Sequence, residues 1–228
     1  MNQENIEKGK TGTVLCVIAL VAAAYNLIAS HFYSGILNIT YFTALSNLMV
    51  LIVSAMELMK FKTDKPWYKY FMFVTAVAIT VTFLVYLLIL APTSSKGFIG
   101  AYQKAWCGSF TGHIVSPICY VIYFMLYDKN ELNKKEITLG SIAFPTFYLI
   151  FSLILSALGV KWGRDIKMAM PYNFMNYDAP CGWFGIRPDT INSGTLGIGV
   201  AYMLVVLLIL FLLVGKGLYA LKKKVQKQ

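Results

Sequence analysis

The 228-residue chain is 58% hydrophobic and 13% charged, with a net charge of +10 and a mean hydropathy of +0.64. A soluble domain carries about 45–50% apolar and about 25% charged residues. That balance excludes intrinsic disorder, which needs low hydrophobicity, and a nucleic-acid-binding domain, whose charge gathers on an exposed face. A polytopic membrane protein remains.

Apolar blocks separated by short polar runs place spans near 13–32, 40–59, 70–91, 107–127, 138–158 and 194–214. Each has about 20 residues, the length a helix needs to cross a hydrocarbon layer of roughly 30 Å. The runs are continuous rather than alternating, so helices are expected and not a barrel. The expected fold is all-α, a six-transmembrane-helix bundle forming a single membrane domain over 1–228. The first block lacks a small-residue cleavage site and is followed at once by a second, so it reads as a retained span.

With six spans, 14 of the 20 basic residues share one side, among them Lys60, Lys62, Lys65, Lys69, Lys134, Lys135, Lys216 and Lys222–Lys224. The other side keeps Lys96, Lys104, Lys161, Arg164, Lys167 and Arg187. The positive-inside rule then puts both termini in the cytoplasm. Lys222–Lys224 are placed against anionic lipid head groups, with no nucleic-acid partner needed.

The second span opens with Thr40-Tyr41-Phe42-Thr43-Ala44-Leu45-Ser46-Asn47. On a helix Thr40, Thr43 and Asn47 share a face, and a polar stripe in a membrane helix points toward protein. Its plainest use is to join helices, Thr43 bonding to its own backbone and Asn47 to a neighbouring helix. Glu57, near the inner end of the same span, is expected to snorkel or to meet Lys60 and Lys62.

The fourth span carries Ser109-Phe110-Thr111-Gly112-His113-Ile114-Val115-Ser116-Pro117. His113 falls about two turns in, at a depth similar to Thr43. Pro117 removes the hydrogen bond to the carbonyl of residue 113 and is expected to kink the helix. A histidine there is either a general base for a weak hydroxyl nucleophile or a neutral helix-joining imidazole. His31, the other histidine, reads as interfacial. No cofactor and no metal motif is indicated: the four cysteines (Cys16, Cys107, Cys119, Cys181) lack zinc spacing. A Cys107–Cys181 bridge and two free thiols both remain open.

The 35-residue connection 159–193 holds Trp162, Tyr172, Phe174, Tyr177, Trp183 and Phe184 with three prolines. It reads either as an interfacial aromatic belt or as a lid over a site in the outer leaflet.

The six-span plan, Tyr41-Phe42-Thr43-Ala44-Leu45-Ser46-Asn47, His113-x-x-x-Pro117 and Met170-Pro171-Tyr172-Asn173-Phe174-Met175-Asn176 together resemble the androgen-induced / androgen-dependent regulator family, especially its bacterial six-span relatives. Vertebrate members are membrane threonine hydrolases of fatty-acid esters of hydroxy fatty acids. The resemblance implies Thr43 as nucleophile, His113 as its base, a lipid-like ester as substrate, membrane lipids as partners and a bacterial plasma membrane as the location. Candidates for the oxyanion donor are Asn47, then Tyr172, Asn173 and Asn176; the residue orienting His113 is open, Asp178 being one candidate. The alternative is a non-enzymatic lipid-binding or small-solute (transporter-like) membrane protein.

Overall fold

The computed structural model describes residues 3–92, 94, 96–163, 167–193 and 197–227. Arg164 and the expected start of the last span at 194–196 lie outside them. The fold is 75% helical. Among the described residues the extended pairings are two isolated bridges, Trp162 with Met168 and Ile186 with Ile198.

Six helices are long and apolar enough to cross a membrane: Gly9–Ser34, Phe42–Met59, Pro66–Leu90, Gly108–Tyr127, Lys134–Ala157 and Val200–Val225. We call the helices α1 (Gln3–Ser34), α2 (Phe42–Met59), α3 (Pro66–Leu90), α4 (the short Gly97–Tyr102), α5 (Gly108–Tyr127), α6 (Lys134–Ala157) and α7 (Val200–Val225). The all-α, six-span membrane reading of the sequence holds. The last helix starts and ends later than expected.

The chain divides into two compact units, residues 1–141 with 214–228, and residues 142–213, the boundaries falling inside α6 and α7. In the first unit α1 packs along α2 and α5. Its contact face is a stripe of small residues, Cys16, Ala19, Ala23 and Asn26, all buried. Apolar burial cannot drive helix pairing in lipid, so close backbone approach over small side chains and inter-helix hydrogen bonds do so. Met72, Phe73, Ala76, Val77 and Ile79 put α3 at the centre of this unit.

The start of α6 follows from local chemistry. The side chain of Asn133 accepts from the Glu136 N–H (2.9 Å), and Glu136 accepts from the Asn133 N–H (2.8 Å). This reciprocal cap satisfies two groups that a helix N-terminus leaves bare.

The end of α7 departs from expectation. Lys222 does not face lipid head groups: it is 2% exposed and donates to Asp128 (2.6 Å) and to the carbonyl of Asn130 (2.8 Å). Its ammonium also lies over the Phe124 ring at 4.8 Å. Gln226 adds bonds to the carbonyls of Met125 and Asp128. The chain leaving α5 offers a carboxylate and carbonyls with no helix of their own, and a buried ammonium satisfies several at once. Lys223 and Lys224 stay exposed.

In the second unit the long connection is a packed structure. Trp162 is 1% exposed and Met170 fully buried, so Trp162 is core and not part of an aromatic belt. Tyr177 stacks on Trp183 (5.3 Å) and shares a hydrogen bond with Ser156 (2.7 Å). Arg187 forks onto Asp189 (3.1 and 3.0 Å), and that pairing lowers the carboxyl's pKa from its ordinary value. All four cysteines are free; Cys107 is exposed and Cys181 buried beside Thr190.

Replacing Lys222 with Met leaves Asp128 buried without its counter-ion. The expected loss is about 3–5 kcal/mol, read as a lower unfolding midpoint of the purified protein in detergent. Adding Asp128→Leu is expected to restore most of it, because the penalty is an unpaired charge and not a missing contact.

Candidate active site

α2 begins at Phe42, after a 3-10 turn over Ile36–Thr40. Thr40 belongs to that turn, where its hydroxyl bonds the Leu37 carbonyl (2.6 Å). It is therefore not on the helical stripe expected for it. Thr43 is the second residue of α2 and half-buried.

Facing it, α5 contains a π-helical turn over Thr111–Val115 in which the Ser116 N–H reaches back to Thr111. Pro117, which has no N–H, follows directly. A widened turn just before a proline is one way a helix accommodates the missing donor. α3 has its own π turn over Tyr86–Leu90, with the Ala91 N–H on the Tyr86 carbonyl (2.8 Å). The two wide turns bring Tyr86 and His113 face to face, ring centroids 3.6 Å apart. The Tyr86 hydroxyl is anchored on the Ala101 carbonyl (2.7 Å).

Thr43 Oγ1 and His113 Nε2 lie 3.2 Å apart. The other ring nitrogen, Nδ1, is 2.7 Å from the carbonyl oxygen of Ser109. A carbonyl only accepts, so in the neutral ring Nδ1 carries the proton and Nε2 presents its lone pair to the Thr43 hydroxyl. His113 is 7% exposed. The orienting group is thus a backbone carbonyl one turn earlier in the same helix, a partner with no side-chain signature. Asp178 is engaged elsewhere, by Lys161 at 3.2 Å.

Asn47 does not match the role of oxyanion donor. Its Nδ2 donates to the carbonyls of Thr43 (2.9 Å) and Gly112 (3.0 Å), which uses both amide protons. It joins α2 to the π turn, as the plainest reading of the sequence had it. Ser46 similarly bonds Thr82 on α3 (2.8 Å). Tyr172, Asn173 and Asn176 belong to the second unit: Tyr172 stacks on Phe174, Asn173 is exposed, and the Asn176 side-chain carbonyl accepts from the Ala169 N–H (3.1 Å). His31 is exposed at the end of α1, edge-on to Phe32.

The entry to α5 is strained. Ala105, Trp106 and Cys107 are consecutive non-glycine residues in the left-handed region, with φ of 52, 50 and 64°. Such residues cost roughly 1–2 kcal/mol each and persist where surroundings over-determine them. Here α1 supplies the hold: Tyr25 donates to the Trp106 carbonyl (2.7 Å) and Asn26 to the Gly108 carbonyl (2.7 Å). In comparisons with known protein families, curated proteins and solved structures, none matches the chain. Fold and site together define a six-span helical membrane protein with a partly buried threonine–histidine pair between α2 and α5.

Gly112 is where Asn26 passes the π turn: a Cβ there would collide with the Asn26 amide. Gly112→Ala is expected to displace Asn26 from Gly108 and to destabilise by about 1–3 kcal/mol. Thermal unfolding of the variant beside wild type is the check; an unchanged midpoint would show that α1 does not hold this turn.

Proposed function

We propose that the protein is an integral-membrane hydrolase of lipid-like esters, with Thr43 as nucleophile and His113 as general base. One observation carries the reading: the 3.2 Å approach of the Thr43 hydroxyl to Nε2 of a histidine whose Nδ1 proton is held by Ser109. A hydroxyl becomes an effective nucleophile when an adjacent base of fixed tautomer takes its proton. The resemblance to the androgen-induced / androgen-dependent regulator family supports the same pair, and the substrate class, membrane-lipid partners and bacterial plasma membrane follow from it as proposals.

Thr43 Oγ attacks the acyl carbonyl as its proton moves to Nε2. Collapse of the tetrahedral intermediate breaks the ester C–O bond, and the imidazolium returns the proton to the leaving alcohol. Water, deprotonated by His113, then attacks the acyl-threonine; as the acyl–Oγ bond breaks the imidazolium returns the proton to Thr43 Oγ, and the carboxylic acid is released. With Asn47 committed to carbonyls, the oxyanion donors are assigned to the backbone N–H groups of Thr43 and Ala44. They lie in the first turn of α2, where no carbonyl of the helix itself accepts from them and the helix dipole is positive.

The non-enzymatic alternative, a lipid-binding or small-solute protein, draws on Asn47 and Ser46 spending their side chains on helix joints. Purified protein given a fatty-acid ester of a hydroxy fatty acid separates the two. Thr43→Ala is expected to abolish turnover and His113→Gln to lower it by about 10²–10⁴-fold, while Thr43→Ser retains part. Turnover unchanged in Thr43→Ala removes the nucleophile; no turnover by folded wild type on such esters favours binding.

Both termini are assigned to the cytoplasm on the lysine distribution. In a Cys107→Ser background, Lys134→Cys is expected to label from the cytoplasmic side and Lys167→Cys from outside. The reverse pattern inverts the orientation.

A further inference from the structure

Fourteen residues beyond Thr43 on α2, about 21 Å along the helix, Glu57 sits in a second polar site that the proposed hydrolase does not use. It meets neither Lys60 nor Lys62 as the sequence suggested. Oε1 accepts from the Tyr68 hydroxyl (2.6 Å) and Oε2 from the Tyr123 hydroxyl (2.8 Å). Phenols satisfy lone pairs but bring no positive charge. A carboxylate has about four lone-pair sites, and the two tyrosines fill two of them among the described residues.

Glu57 also lines a cavity of about 310 Å³, together with Gly9, Gly12, Thr13 and Cys16 of α1, Leu58 and Lys60, and Tyr123 and Tyr127 of α5. That volume lies at the low end of small-ligand sites. Tyr127 stacks on Tyr123 (5.6 Å), and a Cβ at Gly12 would press on the Tyr127 ring, so the glycine makes room for the wall. Thr13 donates to the Gly9 carbonyl (3.0 Å), which leaves its oxygen free to accept. The cavity thus offers acceptors and aromatic faces, with one carboxylate, Glu57, balanced by one ammonium, Lys60, a lining suited to a zwitterion.

Its depth is fixed by the spans. Gly9 opens the first, Met59 beside Leu58 and Lys60 closes the second, and Tyr127 closes the fourth. These span ends assign the cavity to the level of lipid head groups. Lys60, in the left-handed conformation (φ 54°), lines the rim, and the adjoining stretch of α1 exposes Val14, Val17 and Val21.

We infer that this cavity binds a primary ammonium group, supplied by the head group of an aminophospholipid. The ammonium donates to Glu57 and Thr13 beside the Tyr123–Tyr127 wall, the phosphate meets Lys60, and the acyl chains lie along the exposed valines of α1. A trimethylammonium head has no N–H to donate and is discriminated against.

The test titrates the purified full-length protein with phosphatidylethanolamine, phosphatidylcholine or phosphatidylglycerol and reads bound lipid by native mass spectrometry. Wild type is expected to prefer phosphatidylethanolamine over phosphatidylcholine at least tenfold. Glu57→Gln is expected to lose that preference, and Glu131→Gln, an exposed carboxylate, to keep it. Gly9→Leu supplies an independent variant: Gly9 lines the cavity and a Cβ there meets nothing within 4 Å, so the added bulk at the cavity wall leaves the carboxylate unaltered, and it too is expected to weaken the preference. Phosphoethanolamine without lipid forms the second arm. Failure of phosphoethanolamine to bind assigns the ammonium to a lipid head group, whereas Glu57-dependent binding of it at similar affinity replaces the lipid with a soluble amine. Equal binding of the two zwitterionic lipids by wild type, or a preference that survives both Glu57→Gln and Gly9→Leu, overturns the proposal.

Discussion

An imidazole inside a membrane span has to place both of its nitrogens, because an unmatched polar group in a hydrocarbon-facing fold costs several kcal/mol. His113 does so asymmetrically, with a carbonyl on Nδ1 and a hydroxyl on Nε2. The first partner can only accept, and that determines what the second can do. Much of the surrounding architecture serves this one arrangement. The π turn of α5 aims the ring, Tyr86 covers one face of it, and Asn47 ties the same turn to the helix that carries Thr43.

The hold on this region comes from α1, a helix that carries neither Thr43 nor His113. Its small-residue stripe lets α2 and α5 approach closely, and Tyr25 and Asn26 reach from it to the backbone of a strained left-handed entry into α5. Three such residues in succession are unfavourable in isolation. Their persistence beside the Thr43–His113 pair fits the general association of stored backbone strain with sites that must be pre-organised. Side chains from a packed neighbouring helix supply the compensating bonds.

Hydropathy and span length made the six helices readable from the sequence, since lipid leaves the backbone few alternatives. The meeting of Thr43 and His113 was readable at the level of depth, because both fall within the first turns of spans that start on the same side of the bundle. What could not be read was carried by backbone or by distant pairing. The Ser109 carbonyl has no residue-type signal. The π turn at Thr111–Val115, just before Pro117, has no residue-type signal beyond the proline itself. Lys222 looked like a tail lysine because its partner, Asp128, lies in a loop 94 residues away. Glu57 looked satisfied by its nearest lysines, whereas its partners come from α3 and α5 and are tyrosines, residues a charge count does not register.

α2 ties the two polar sites to a single physical asymmetry. A helix dipole is positive at its N-terminus and negative at its C-terminus, with effect confined to the first and last turns. Thr43 lies in the first turn, where an oxyanion of the proposed hydrolysis would gain from that field, and Glu57 lies near the last, where the field would add to the carboxylate's own attraction for a cation. Anion chemistry and cation binding are thus favoured at opposite ends of one eighteen-residue helix. Reversing the two sites along α2 would set each against the dipole.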